Sequence, residues 1–174
     1  DQPFDVASGA GVIFGATGGV MEAALRTAAE TILGTKLEKL EFEDVRGTEP
    51  IKRASYKLGD LTVRVAVTSG TANAKKLLRA VQDGTEQVDF IEVMACPGGC
   101  VNGGGQPVQD ATVRSTTDLK SLRAAVLYHD DDTSELRRSH ENPACIKVYE
   151  EFLEEPGSHI AHEILHTHYI KRGL

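Results

Sequence analysis

The chain has 174 residues, the size of one domain, and 40% of them are hydrophobic, so it can bury a sizeable core and is not a disordered segment. Its net charge of −7 makes it a poor general binder of nucleic acid or of anionic membrane, and no apolar run approaches the length of a membrane span. Three cysteines, an odd number, argue against a disulfide framework and for a reducing compartment. The first residue is Asp and a dense glycine motif starts within ten residues, which reads as the later part of something longer, although processing could give the same start.

The opening "ASGAGVIFGATGGVMEAALRTAAETIL" carries glycine at 9, 11, 15, 18 and 19. A helix is expected from about Thr17 to Leu33, with Thr17 as N-cap, Glu22 early, and Val20, Ala24, Ala28 and Ile32 on one face. The loop resembles a phosphate cradle but reads GxGxxxG, with no GK[ST] after it. It is also compatible with a tight strand-to-helix turn, or with close backbone approach to a bulky buried group.

Two strand-like pieces flank Leu58-Gly59-Asp60, and "LTVRVAV" alternates before turning wholly apolar. "TANAKKLLRAVQDG" reads as a helix closed by Gly84. "VDFIEVMAC" reads as a strand that delivers Met94, Ala95 and Cys96 at its carboxyl end. That is where sites gather in parallel α/β sheets. "TTDLKSLRAAVLYHDDD" is a helix with Leu119, Leu122 and Val126 on one side, and the tail gives two more helices broken at Pro156-Gly157. The expected architecture is α/β: one lobe, residues 1–130, with a parallel or mixed sheet flanked by helices, and a helical C-terminal arm, 131–174.

"EVMACPGGCVNGGGQP", Glu92 to Pro107, places two thiols in C-x3-C spacing on a loop that is nearly all backbone. Structural zinc prefers C-x2-C and four ligands, and a thioredoxin-type pair also needs C-x2-C. Iron–sulfur clusters accept looser spacings, and glycines let backbone N–H groups approach the sulfurs. A four-iron cluster wants four cysteines, so the other ligands would come from elsewhere; a glycine turn with two incidental cysteines is the plainer alternative. Cys145, in an expected amphipathic helix, reads as core packing.

These stretches carry a family resemblance. "EVMACPGGCVNGGGQP" is similar to the third cysteine signature of the [FeFe] hydrogenase catalytic domain, and "SGAGVIFGATGGVMEAALRTA" to the glycine segment that precedes it. "RRSHENPACIKVYEEFLEEPGSHIAHEILHTHY" resembles the family's small-subunit region, fused at the C-terminus. The family's two earlier cysteine signatures, TSCCP-like and MPC-like, are not present.

The resemblance implies reversible H2 oxidation and proton reduction at an H-cluster, a [4Fe-4S] unit joined to a two-iron subcluster with CO, cyanide and dithiolate ligands. Cys96 and Cys100 would ligate the four-iron unit, with Cys100 bridging to the two-iron unit. Met94, Phe14 and Gly15 would line the cavity. Implied partners are the missing N-terminal part of the hydrogenase and ferredoxin or NAD(P)H-linked electron-transfer subunits, in the cytoplasm, with the periplasm left open. The chain alone is expected to be inert, because the family's cyanide-facing lysine and proton-path residues lie upstream.

Two rivals remain. A hydrogenase-like iron–sulfur assembly or regulatory protein would carry a similar cysteine loop. "HEILH", His162 to His166, matches the HExxH zinc motif, with His159 and His168 nearby. "HDDDTSE" reads as a solvated acidic turn rather than a calcium loop.

Overall fold

In a computed structural model, the structure describes residues 6–172. Three strands form one mixed sheet: β1 (Ile51–Leu58), β2 (Leu61–Ser69) and β3 (Phe90–Met94). Around it lie α1 (Gly9–Val12), α2 (Gly19–Leu33), α3 (Thr71–Gln82), α4 (Ala111–Thr116), α5 (Leu119–Thr133), α6 (Pro143–Val148) and α7 (His159–Leu165).

β1 and β2 make an antiparallel hairpin, Leu58 opposite Leu61, turning through Gly59 at φ +63°. β2 and β3 pair in parallel, Val65 opposite Phe90 through Ser69 opposite Met94, with α3 as the crossover. This is the expected strand–helix–strand unit, and it sets Met94 at the sheet's carboxyl edge beside the start of α3, where Gly70 N–H donates to Met94 O at 2.8 Å. The core joins Met21 and Leu25 of α2 to Val45, Val65 and Val67, with Phe42 and Tyr56 in edge-to-face contact at 4.9 Å at its border.

Several expectations change. The glycine segment is not a strand-to-helix turn: it is α1, a 3-10 turn over Ile13–Gly15, then α2. Thr17 is not the N-cap; that position is Gly18, left-handed at φ +94°, and the buried Thr17 hydroxyl has no hydrogen-bond partner among the described residues. The buried face of α2 is also different. It carries Met21, Glu22, Leu25, Arg26, Ala29 and Glu30, while Ile32 is exposed and Val20, Ala24 and Ala28 are only half-buried.

The reason is a buried ion network that apolar periodicity does not register. Arg26 donates to Glu22 at 2.8 Å and to both Asp131 oxygens at 2.8 and 2.7 Å. Arg46 also binds Glu22, and Arg137 binds Asp131. Asp131 is therefore fully buried within α5 and is no solvated acidic turn. Burial alone would raise its pKa, but the hydrogen bonds from Arg26 and Arg137 hold it below the usual carboxylate range.

On α5, Leu122 and Val126 share one side of the helix, and that side is exposed. Cys145 is exposed on α6 rather than packed in the core. The tail breaks where Pro156-Gly157 requires, after a π-helical turn over Tyr149–Leu153 that ends at Glu154 with φ +65°.

Candidate iron–sulfur site

β3 ends at Met94 and hands the chain to Cys96, half-buried, and Cys100, exposed; both thiols are free. Between them the backbone turns tightly, Gly99 N–H donating to Cys96 O at 3.0 Å, with Gly98 at φ +87° and Gly99 at φ +95°. A side chain at either glycine would be strained. At Gly99 it would also collide, since a Cβ there would lie 2.6 Å from Gly15 O and 2.7 Å from Thr17 N. The cysteine loop thus presses, main chain on main chain, against the glycine segment, and Thr17 N–H donates to Gly98 O at 3.0 Å. Past Cys100 the loop is tied down by Gly103 N–H to Cys100 O at 2.9 Å, Asn102 Nδ2 to Pro97 O at 3.0 Å and Arg123 to Val101 O at 3.0 Å.

Of the expected lining, Gly15 meets the loop through this backbone contact, with Leu127 of α5 against its other side. Phe14 is 45% exposed and Met94 half-buried. A hollow of about 230 Å³ beside the loop takes in Ala16, Thr17, Gly98, Arg46 and Tyr128, neighbours of the expected pair rather than Phe14 and Gly15 themselves. Arg46 stacks over the Tyr128 ring at 4.0 Å, and burial raises the Tyr128 pKa above its ordinary value.

Two residues that sequence reasoning passed over stand behind the loop. Glu92, buried on β3, accepts from Gly18 N–H and Met21 N–H, each at 2.7 Å. Lys52 of β1 donates to Thr17 O at 2.9 Å and to Gly47 O at 2.8 Å; burial pushes its pKa down to about 8, against the pull of the Glu92 charge. The available signal for Glu92 was a carboxylate inside the otherwise apolar strand "FIEVM"; Lys52 had none, since β1, "IKRASYKL", also carries Arg53 and Lys57.

The donor set fits part of a cluster site. Two soft sulfurs share one loop whose glycines close on the main chain of residues 15–17, and among the described residues no three His, Cys, Asp or Glu side chains converge as a metal site. The same finding weighs against the zinc reading: the His162 and His166 rings lie 4.4 Å apart, tilted by 60°, and no third ligand joins them among the described residues.

Two free cysteines on one loop at the carboxyl edge of a small α/β sheet are the donor type that iron–sulfur proteins use. Residues 1–104 match the family model described as iron only hydrogenase large subunit, C-terminal domain, and residues 117–172 match iron hydrogenase small subunit. The chain belongs to the iron-only hydrogenase family.

It is 49% identical over 172 residues to the NADP-reducing hydrogenase subunit HndD of Solidesulfovibrio fructosivorans, covering 99% of this chain and 28% of the relative. It is 48% identical to iron hydrogenase 1 of Clostridium pasteurianum, covering 94% and 29%. The fold matches the [FeFe]-hydrogenase HydA1 of Chlamydomonas reinhardtii with a TM-score of 0.67 and 44% identity, over 98% of this chain and 48% of that one. The chain therefore spans under a third of these curated relatives. A cytosolic Fe-S cluster assembly factor of Xenopus tropicalis is also similar, at 28% identity over 155 residues. No described helix is long and apolar enough to cross a membrane.

Proposed function

We propose that this chain is the cysteine-bearing lobe of an [FeFe] hydrogenase and supplies two ligands of an H-cluster. The observation that carries this is the closure of Gly98-Gly99 on the Gly15–Thr17 main chain, which sets Cys96 and Cys100 at the two ends of one tight main-chain turn. Cys96 and Cys100 would hold the four-iron unit, with Cys100 also reaching the two-iron unit. Met94, Phe14 and Gly15 would pack around the latter. When bound, the cluster supplies heterolytic cleavage and formation of H2 and passes electrons through its four-iron part.

The chain's own contribution is geometric. The glycines let the cysteine loop close main chain on main chain, and the turn between the thiols fixes their spacing before metal arrives. The hydrogen bonds at Cys100 O keep the outer half of the loop from fraying. The remaining cluster ligands and the proton path would come from a second lobe carrying the TSCCP-like and MPC-like signatures, with ferredoxin or an NAD(P)H-linked subunit as electron partner.

Infrared spectroscopy tests this reading. This chain, joined to or mixed with a lobe bearing those signatures and then matured, should show bands of metal-bound CO and cyanide and should evolve H2. Iron incorporation without such bands would favour the second reading, an iron–sulfur assembly protein, which the 28% identity to the Xenopus tropicalis factor supports less strongly than the 48–49% identity to hydrogenases.

A further inference from the structure

Glu92 opens the cysteine motif yet supplies neither a thiol nor a lining group. It is 6% exposed, and both of its carboxylate oxygens are in use: Oε1 accepts from Gly18 N–H and Oε2 from Met21 N–H. The donors sit at the first turn of the fifteen-residue α2, and the acceptor sits on β3, two residues before Met94. Gly18, in the cap position, has no side chain of its own to satisfy these amides, so a strand carboxylate does it from across the core. From the other side Lys52 holds Thr17 O and Gly47 O. Thr17 and Gly18 are thus gripped by two buried charges, and Thr17 N–H is also the donor to Gly98 O in the cysteine loop.

We propose that Glu92 is a positioning residue: its carboxylate clamps the start of α2 to β3, and so fixes the Gly15–Thr17 main chain where Gly98 and Gly99 must close on it, setting the disposition of Cys96 and Cys100. The use of the socket rests on the proposed function; the clamp itself is tested without metal.

The experiment uses the reduced, chelator-treated chain. Amide exchange at Gly18 and Met21 is followed by NMR. Alkylation of each cysteine by iodoacetamide is resolved by mass spectrometry, with exposed Cys145 as the reference within the same molecule. In the parent chain both amides should be protected. Glu92→Gln removes the charge and turns one acceptor into a donor facing an N–H. It should speed exchange at Gly18 and Met21 by roughly 10- to 100-fold and shift alkylation of Cys96 and Cys100, relative to Cys145, by about tenfold, the equivalent of one charge-assisted hydrogen bond.

Leu77→Ala, a truncation in the fully buried face of α3, should lower stability yet leave the alkylation ratios unmoved. Unprotected Gly18 and Met21 amides in the parent chain overturn the proposal, and that measurement decides the matter even where Glu92→Gln fails to fold. Unchanged ratios in a folded Glu92→Gln also overturn it and leave Glu92 a structural cap. A clamp that holds while the infrared bands are missing overturns the hydrogenase reading alone.

Discussion

The glycines of the cysteine motif are not equivalent, and their surroundings rank them. Gly99 combines φ +95° and ψ −163°, a region open in practice to glycine alone, with main-chain atoms where a Cβ would lie. Gly104 has open space around it and no positive φ. Gly99→Ala should therefore cost about 3 kcal/mol or more in urea denaturation, and Gly104→Ala within about 0.5 kcal/mol of zero. Lys52 makes a pH prediction at the same scale. Its folded pKa of about 8 lies below that of an unfolded lysine, so the unfolded chain binds more protons between roughly pH 8 and 10.4, and stability must rise with pH across that window. The slope approaches about 1.4 kcal/mol per pH unit. Above about pH 10 the half-buried Tyr56 and Tyr128, whose pKa values partial burial raises, act in the opposite sense. Lys52→Met should flatten the rise between pH 8 and 10 in denaturation curves while leaving the decline above it.

Among the elements, α2 is held chiefly by charge on the side that meets α5. Arg26 and Asp131 are both fully buried and bind each other through two parallel hydrogen bonds, so removing one partner leaves a buried charge uncompensated. Asp131→Asn should cost about 3–5 kcal/mol by urea denaturation, because among the described residues Arg26 then keeps Glu22 alone as an ionic partner. Arg53 pairs with Glu86 at the surface, where solvent weakens the attraction, and Arg53→Ala should cost no more than about 1 kcal/mol. This network also explains what the sequence concealed. The extent of α2 past its first turn was legible as far as Leu33, but its inward face was not. Apolar periodicity groups Val20, Ala24, Ala28 and Ile32 on one face, whereas the inward residues include Glu22, Arg26 and Glu30, whose partners lie up to about 110 positions away in the chain. Thr17 misled for a related reason: its type fits an N-cap, but the helix is capped by a carboxylate on β3.

For the whole molecule, the sheet, its parallel crossover and the placing of Met94 and Cys96 at its carboxyl edge were readable, because alternation, helix periodicity and glycine punctuation are local signals. The loop's thiols were readable by type and spacing; the floor beneath them was not, since it forms when residues near 16 and near 98 meet. The exposed Leu122 and Val126 face of α5 and the exposed Phe14 belong to the same scale: they are large apolar groups that the described fold leaves uncovered. Two thiols from one loop cannot complete the coordination of a four-iron cluster that takes four. Reconstituted anaerobically with iron and sulfide, the chain alone should hold iron weakly, below one four-iron cluster per chain, and should evolve no H2. Cys96→Ser and Cys100→Ser should each abolish what iron it holds, and Cys145→Ser, on the exposed surface of α6, should leave it unchanged. Iron and gas-chromatographic H2 assays on the four proteins measure this, and sustained H2 evolution by the parent chain would show that this lobe builds its site without a second one.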